Sequence, residues 1–226
     1  MTQSTSNRNR CYWCGEPATT KEHVPPQNLF VAGHNSNLMT VPSCFEHNTA
    51  KSKLDEKFRL YIQAMETNDI ATSAFKDKTL RGLKREEAAG FRKKILDNSF
   101  NTEIEGERRL VMRIDIEEQS AYFGAIIRGL YHYHTGLFSI DLYPNSFSLR
   151  FQNGEQPSFE AITEELAPEL APNLAADGDF KNPRVFRYRY RLDDTKKRFL
   201  VLMDFYEGVE VFGTLVPTLE IEGLNK

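Results

Sequence analysis

Cys11-Tyr12-Trp13-Cys14 and, thirty residues after Cys14, Cys44-Phe45-Glu46-His47 form two short ligand pairs. In each, a two-residue gap lets both side chains reach one ion. Three thiolates and an imidazole suit tetrahedral zinc, and four protein ligands leave no open position for water or substrate, so the expected zinc is structural. The plain alternative is free thiols beside an unrelated histidine, but turn-forming Gly15, Pro17 and Pro42 surround these cysteines. Any catalysis needs another site. Candidates lie inside and just after the frame: Glu22-His23-Val24-Pro25-Pro26, Asn37-Leu38, Asn48 and Lys51. His23 is the natural general base among them, with an ordinary pKa of about 6.5.

The order Cys-x2-Cys, acid-His-x-x-Pro, Asn-Leu, Cys-x2-ligand-Asn, then lysine, over residues 11–55, resembles the HNH or ββα-metal endonucleases, in particular the subgroup braced by a zinc knuckle pair. The resemblance implies a divalent-metal-dependent hydrolase of nucleic-acid phosphodiesters, with DNA the expected substrate. His23 would take a proton from water, Glu22 and Asn48 would hold Mg²⁺ or Mn²⁺, and Asn37 would fix the loop that carries the base. Oxygen ligands suit such hard ions, which act as Lewis acids and stabilise the leaving oxygen. Lys51 is placed to contact a phosphate. Cutting both strands would call for a homodimer or two independent nicks.

This chain departs from the common pattern at three points: Glu22 replaces the usual Asp, His47 replaces a fourth Cys, and Asn48 stands third where the family name has His. A competing register gives His47 to the catalytic ion and leaves zinc three ligands. Singly, Glu22 and His23 read as a surface pair, Asn37 and Asn48 as caps of turns or a helix, and Lys51 as solvated. Two further functions stay open. One is a non-catalytic zinc module that binds nucleic acid or protein; the other is a hydrolase using Cys11 or Cys14 as nucleophile.

The elements that must position these groups fall into an α+β chain. Residues 1–66 read as the zinc-braced ββα-metal module, 67–100 as a helical connector, and 101–226 as a C-terminal antiparallel sheet packed by one helix. Leu54, Phe58, Tyr61, Ile62 and Met65 recur at helical spacing, and a second helix is expected over residues 84–96. Leu110, Met112, Ile114 and Ile116 alternate as a half-buried strand would, and so do Phe147, Leu149 and Phe151. Further strands are expected over residues 137–143, 185–192, 199–206 and 209–216, with turns at Pro144-Asn145 and Asp193-Asp194. Phe123, Ile126, Ile127, Leu130 and His134 define one helix, capped by Gly136. The acidic residues 155–179 read as a surface insertion.

Composition limits the rest. The 226 residues are 40% hydrophobic and 12% aromatic, which suits a folded chain, and a net charge of −3 excludes a uniformly basic polyanion binder. No apolar run is long enough for a membrane span, and the polar residues 1–10 lack the apolar core of a secretory signal, so a cytoplasmic location is expected. His132 and His134 read as hydrogen-bonded interior or boundary residues. Arg184, Arg187, Arg189 and Arg191 alternate with Phe186, Tyr188 and Tyr190 as a cationic strand face; Arg187 and Arg189 are candidate nucleic-acid contacts, with a solvated face the default.

Overall fold

The computed structural model describes residues 9–104, 106–148, 176–178 and 181–218. Leu149, Phe151 and all of the acidic stretch except residues 176–178 lie outside them.

Strands β1 (Thr20–His23) and β2 (Thr40–Ser43) pair antiparallel, with His23 opposite Thr40 and Glu22 opposite Val41. A single 3₁₀ turn then leads into α1 (Ser52–Ala64), so the chain begins as hairpin plus helix. The period seen in the sequence is the buried face of α1: Phe58, Tyr61 and Ile62 are all buried. Phe58 stacks on Tyr122 with ring centroids 4.5 Å apart and meets Phe123 edge-on at 5.7 Å.

Helix α2 (Asp69–Ala74), inside the segment expected to be helical, starts where the Asn68 side chain accepts the Ala71 N–H. A π-helical turn leads into α3 (Leu80–Leu83). The helix expected from residue 84 begins later, as α4 (Ala89–Asp97), because Arg85 takes an extended backbone and opens a separate 3₁₀ turn.

The hairpin of β3 (Ser99–Ile104) and β4 (Glu107–Met112) corrects a second expectation. The alternation through Ile116 is not one buried strand face: Leu110 is 62% exposed, and Ile116, 78% exposed, is already the first residue of α5 (Ile116–Thr135). The Asp115 carboxylate caps that helix by accepting the Glu117 and Glu118 N–H groups, and capping overrides the period-two pattern. The far end stops as expected at Gly136, left-handed at φ 69°.

A five-stranded antiparallel sheet completes the fold in the order β5-β9-β8-β7-β6, with β5 Leu142–Ser148, β6 Ala176–Asp177, β7 Phe186–Leu192, β8 Phe199–Phe205 and β9 Val209–Pro217. The strand expected from residue 137 starts only at Leu142. Pro144 and Asn145, expected as a turn, instead pair with Leu215 and Thr214 inside β5. That strand is the sheet edge, where proline's missing N–H costs no ladder bond.

Helix α5 is held between the sheet and the first hairpin by two glycines at points of close approach. A Cβ on Gly213 of β9 would stand 2.6 Å from Ile127 Cδ1, and one on Gly129 would stand 2.6 Å from Val24 Cγ2. One apolar cluster therefore runs from Tyr12 and Val24 through Phe58 and Phe123 to Phe205 and Leu215, across the expected segment boundaries. Gly129→Ala is expected to lower stability by about 1–3 kcal/mol, less the roughly 1 kcal/mol that alanine gains in a helix, because stiff, buried Val24 cannot yield. Urea denaturation would measure it; an unchanged midpoint would show that α5 does not abut Val24.

Candidate metal centre and the hairpin–helix site

Two turns bring the four sequence-predicted zinc ligands together. In the first, Gly15 is left-handed at φ 73° and its N–H donates to Cys11 O at 3.0 Å, folding Cys14 back towards Cys11. In the second, the Asn48 and Ala50 N–H groups both donate to Phe45 O. The Tyr12 N–H donates to Pro42 O and docks one turn on the other. His47 Nδ1 lies 3.2 Å from Cys44 Sγ and 3.5 Å from Cys11 Sγ, and Cys14 Sγ lies 4.0 Å from Cys44 Sγ. All four ligand atoms fall within 4.8 Å of one another. A tetrahedral zinc with ordinary bond lengths has ligand–ligand edges of about 3.6–3.8 Å, so this group could hold a metal ion such as zinc. All three cysteines are free thiols.

The charges act in both directions on that use. Burial pushes the Cys14 thiol up to about 11. Burial acts upward on Cys11 too, but backbone N–H groups of Cys14, Cys44 and Trp13 outweigh it and hold the thiol below its ordinary value. His47 is lowered by burial and by Arg128, which keeps its ring neutral, as a ligand must be. The His47 ring stacks on Trp13 at 4.3 Å, and the Arg128 guanidinium sits 4.8 Å from the Trp13 ring centroid. Arg128 also donates to Ser139 O, so α5 braces the frame from behind. Because His47 Nδ1 faces the sulfurs, the geometry favours the four-ligand register over the one that lends His47 to a catalytic ion.

Beside this frame β1 alternates: Glu22 is buried and His23 half-buried, on opposite faces of the strand. The His23 ring makes no hydrogen bond to the protein among the described residues, and burial sets its pKa below the ordinary 6.5. Glu22 turns towards α1 and pairs with Lys51 Nζ at 2.8 Å; the same ammonium contacts both Asp55 oxygens at 2.9 Å. Burial pushes both carboxyls above their usual range, while Lys51 pulls them back. Only 12% of the Lys51 side chain is exposed, so its ammonium faces the two acids and is not presented as the phosphate contact expected of it. The reason is electrostatic: two buried carboxylates need a cation.

Asn48 clamps the helix start to β1, its amide nitrogen donating to Thr20 Oγ1 at 2.9 Å and Lys21 O at 3.1 Å, which leaves Oδ1 as its one possible ligand atom. Asn37 is not brought to the base. It is exposed, sits at φ 52° and makes no side-chain hydrogen bond among the described residues. The loop it was expected to fix is held instead by Val24 N–H donating to Met39 O and by Asn182 Nδ2 donating to Ser36 O. In the sheet, Arg187 donates to the buried Asp204 carboxylate at 2.8 Å, so this member of the cationic stripe is committed to the fold. Arg189 is half-buried on β7, in register with Asp177. His132 and His134 take the interior roles expected, bonding Leu137 O and the Tyr188 hydroxyl, each at 2.9 Å.

Sequence reasoning missed Asp55 and Arg128. Asp55 had a signal, its i,i+4 spacing from Lys51; Arg128 had none. Lys51→Met is expected to destabilise by about 3–5 kcal/mol at neutral pH, since it leaves two buried carboxylates without their cation. The sign of its pH dependence is fixed. With folded carboxyl pKa values above the unfolded ones, the folded state binds more protons, so the variant should regain stability as pH falls from about 8 to about 5. Urea melts across that range measure it; a loss of stability on acidification would contradict the triad.

No family model matches the chain, and neither does any curated protein or solved structure. The fold is α+β with a Cys/His cluster in its N-terminal hairpin module, and no helix among the described residues is long and apolar enough to cross a membrane.

Proposed function

We propose that the protein is an HNH-type endonuclease, a divalent-metal-dependent hydrolase of phosphodiester bonds in nucleic acid, with DNA as substrate. The observation that carries this reading is the placement of His23. It stands at the end of β1, half-buried, with its pKa lowered and no hydrogen bond to the protein among the described residues, on a hairpin braced by a metal-ligand frame on one side and by α1 on the other. A neutral imidazole of this kind suits a base that must bond a water.

Glu22 and Asn48 Oδ1 would hold Mg²⁺ or Mn²⁺, and Asp55, which shares Lys51 with Glu22, would offer a further hard oxygen donor. A bound ion would supply Lewis acidity and charge for the leaving oxygen. On this reading His23 accepts the proton, Asn48 fixes β1 against the helix, and Lys51 neutralises Glu22 until an ion competes for it. We place the activity in the cytoplasm, with zinc as the structural ion and two copies acting where both strands are cut. Supercoiled plasmid and RNA incubated with purified protein and Mg²⁺ or Mn²⁺ test the proposal; intact substrates across divalent ions and pH would refute it.

The second reading, a non-catalytic zinc module that binds nucleic acid or protein, draws support from Lys51. Its ammonium already satisfies the carboxylates that a catalytic ion would need. On that reading Glu22→Ala and His23→Ala leave binding intact.

A further inference from the structure

A groove of about 870 Å³ opens between α1 and the α3–α4 segment, within the range of roughly 300–1,000 Å³ typical of small-molecule sites. Its floor is apolar, made by Leu60, Leu83 and Phe91, and Arg59 forms one wall. The Arg59 side chain is only 14% exposed, and its closest carboxylate, Glu56, lies 3.8 Å away, too far for a hydrogen bond. Its Nε is buried without a hydrogen-bond partner among the described residues. The neighbouring polar groups bond one another: Gln63 donates to the Tyr206 hydroxyl and accepts from Thr79, while Tyr206 donates to Leu29 O. A guanidinium mostly out of water, with an unbonded Nε and only a long ion pair to exposed Glu56, faces an open groove and is suited to receive an anion.

We propose that this groove binds a small organic anion, a phosphate or carboxylate carried on an apolar or aromatic body, with Arg59 as its anchor and Arg85 at the rim as a second cation. The rim also carries the exposed acids Glu56, Glu86 and Glu87. They repel a nucleic-acid strand laid along the groove and favour a compact ligand with one anionic end and donor groups elsewhere. This site is separate from His23 and from the cysteine frame, and a failed nuclease assay leaves it standing.

Isothermal titration calorimetry on the zinc-loaded full chain tests it with four probes: adenosine 5′-monophosphate, indole-3-acetate, neutral adenosine and inorganic phosphate. At least one organic anion should bind at least tenfold more tightly than both adenosine and inorganic phosphate, and the one that binds identifies the head group. Arg59→Met, which keeps the apolar stem, should weaken that probe about tenfold or more, the worth of hydrogen bonds to a charged group. Arg85→Met, on the exposed rim, should weaken it less, and Lys93→Met not at all. The proposal is overturned if neither organic anion binds at millimolar concentration, if inorganic phosphate binds as tightly as either, or if both arginine variants bind like wild type.

Discussion

His23→Ala is expected to cut the nicking of supercoiled plasmid by about 10²- to 10⁴-fold in Mg²⁺ or Mn²⁺, the usual worth of a positioned general base. Zinc content and the melting curve should stay close to wild type. Structure and chemistry separate cleanly here because the His23 ring is half-buried and bonds no protein group among the described residues, so its loss removes little that holds the fold. The pH profile adds an independent readout. Burial lowers the folded pKa beneath 6.5, so the neutral, basic form should persist to more acid pH than for a free histidine. The acidic limb of the wild-type rate should therefore lie lower in pH than a free histidine would give, with a fall of about tenfold per unit once below the folded pKa. The residual activity of His23→Ala should lack that acidic limb. Equal nicking by the two proteins, at equal zinc content and freed of contaminating nuclease, would remove His23 from the chemistry and turn attention to the binding-module reading.

Features set by local spacing were legible in the sequence. Each knuckle pair spans four residues, so its ligand gap needs no knowledge of the fold; only the meeting of the two pairs does, and Tyr12 N–H to Pro42 O achieves it. The faces of α1 and α5 and the strands β7 to β9 were equally readable, because a buried surface imposes its period on the residues that line it. Failures came where tertiary context or a cap overrode the local pattern. Ile116 continued an alternation that Asp115 ended by capping a helix. Pro144 looked like a turn, and an edge strand accepts it. Lys51 looked free for a phosphate because nothing in its neighbourhood along the chain shows that Glu22, on another element, turns towards it. Asn37 was expected at the base through the family pattern alone, and the geometry leaves it in solvent.

Cys44→Ala is expected to lose bound zinc and to unfold the N-terminal hairpin module while the C-terminal sheet persists. Structural zinc in small knuckle-type sites is worth about 10–16 kcal/mol at neutral pH, comparable to the whole stability of an ordinary domain at about 5–15 kcal/mol. The ligand turns bury Cys11 and Tyr12 fully, but two side chains worth roughly 1.5–3 kcal/mol each do not replace it. Val201, Met203, Phe205, Val211 and Leu215 share the apolar cluster with the N-terminal module but are also fully buried within the paired strands β8 and β9, so loss of zinc should split a single melt into two. The chain supplies its own reporter. Trp13 is the only tryptophan, and it stacks on the ligand His47 at 4.3 Å. Chelation of wild type, or the Cys44→Ala change, should shift Trp13 emission to the red as the indole meets water, with the strand signal in circular dichroism retained. Added zinc should restore the wild type and not the variant. Metal uptake should also weaken as pH falls, because Cys14, pushed up to about 11 by burial, must release its proton to become a ligand. A Cys44→Ala protein that holds one zinc per chain with unchanged Trp13 emission would show that the frame does not bind metal through these four residues.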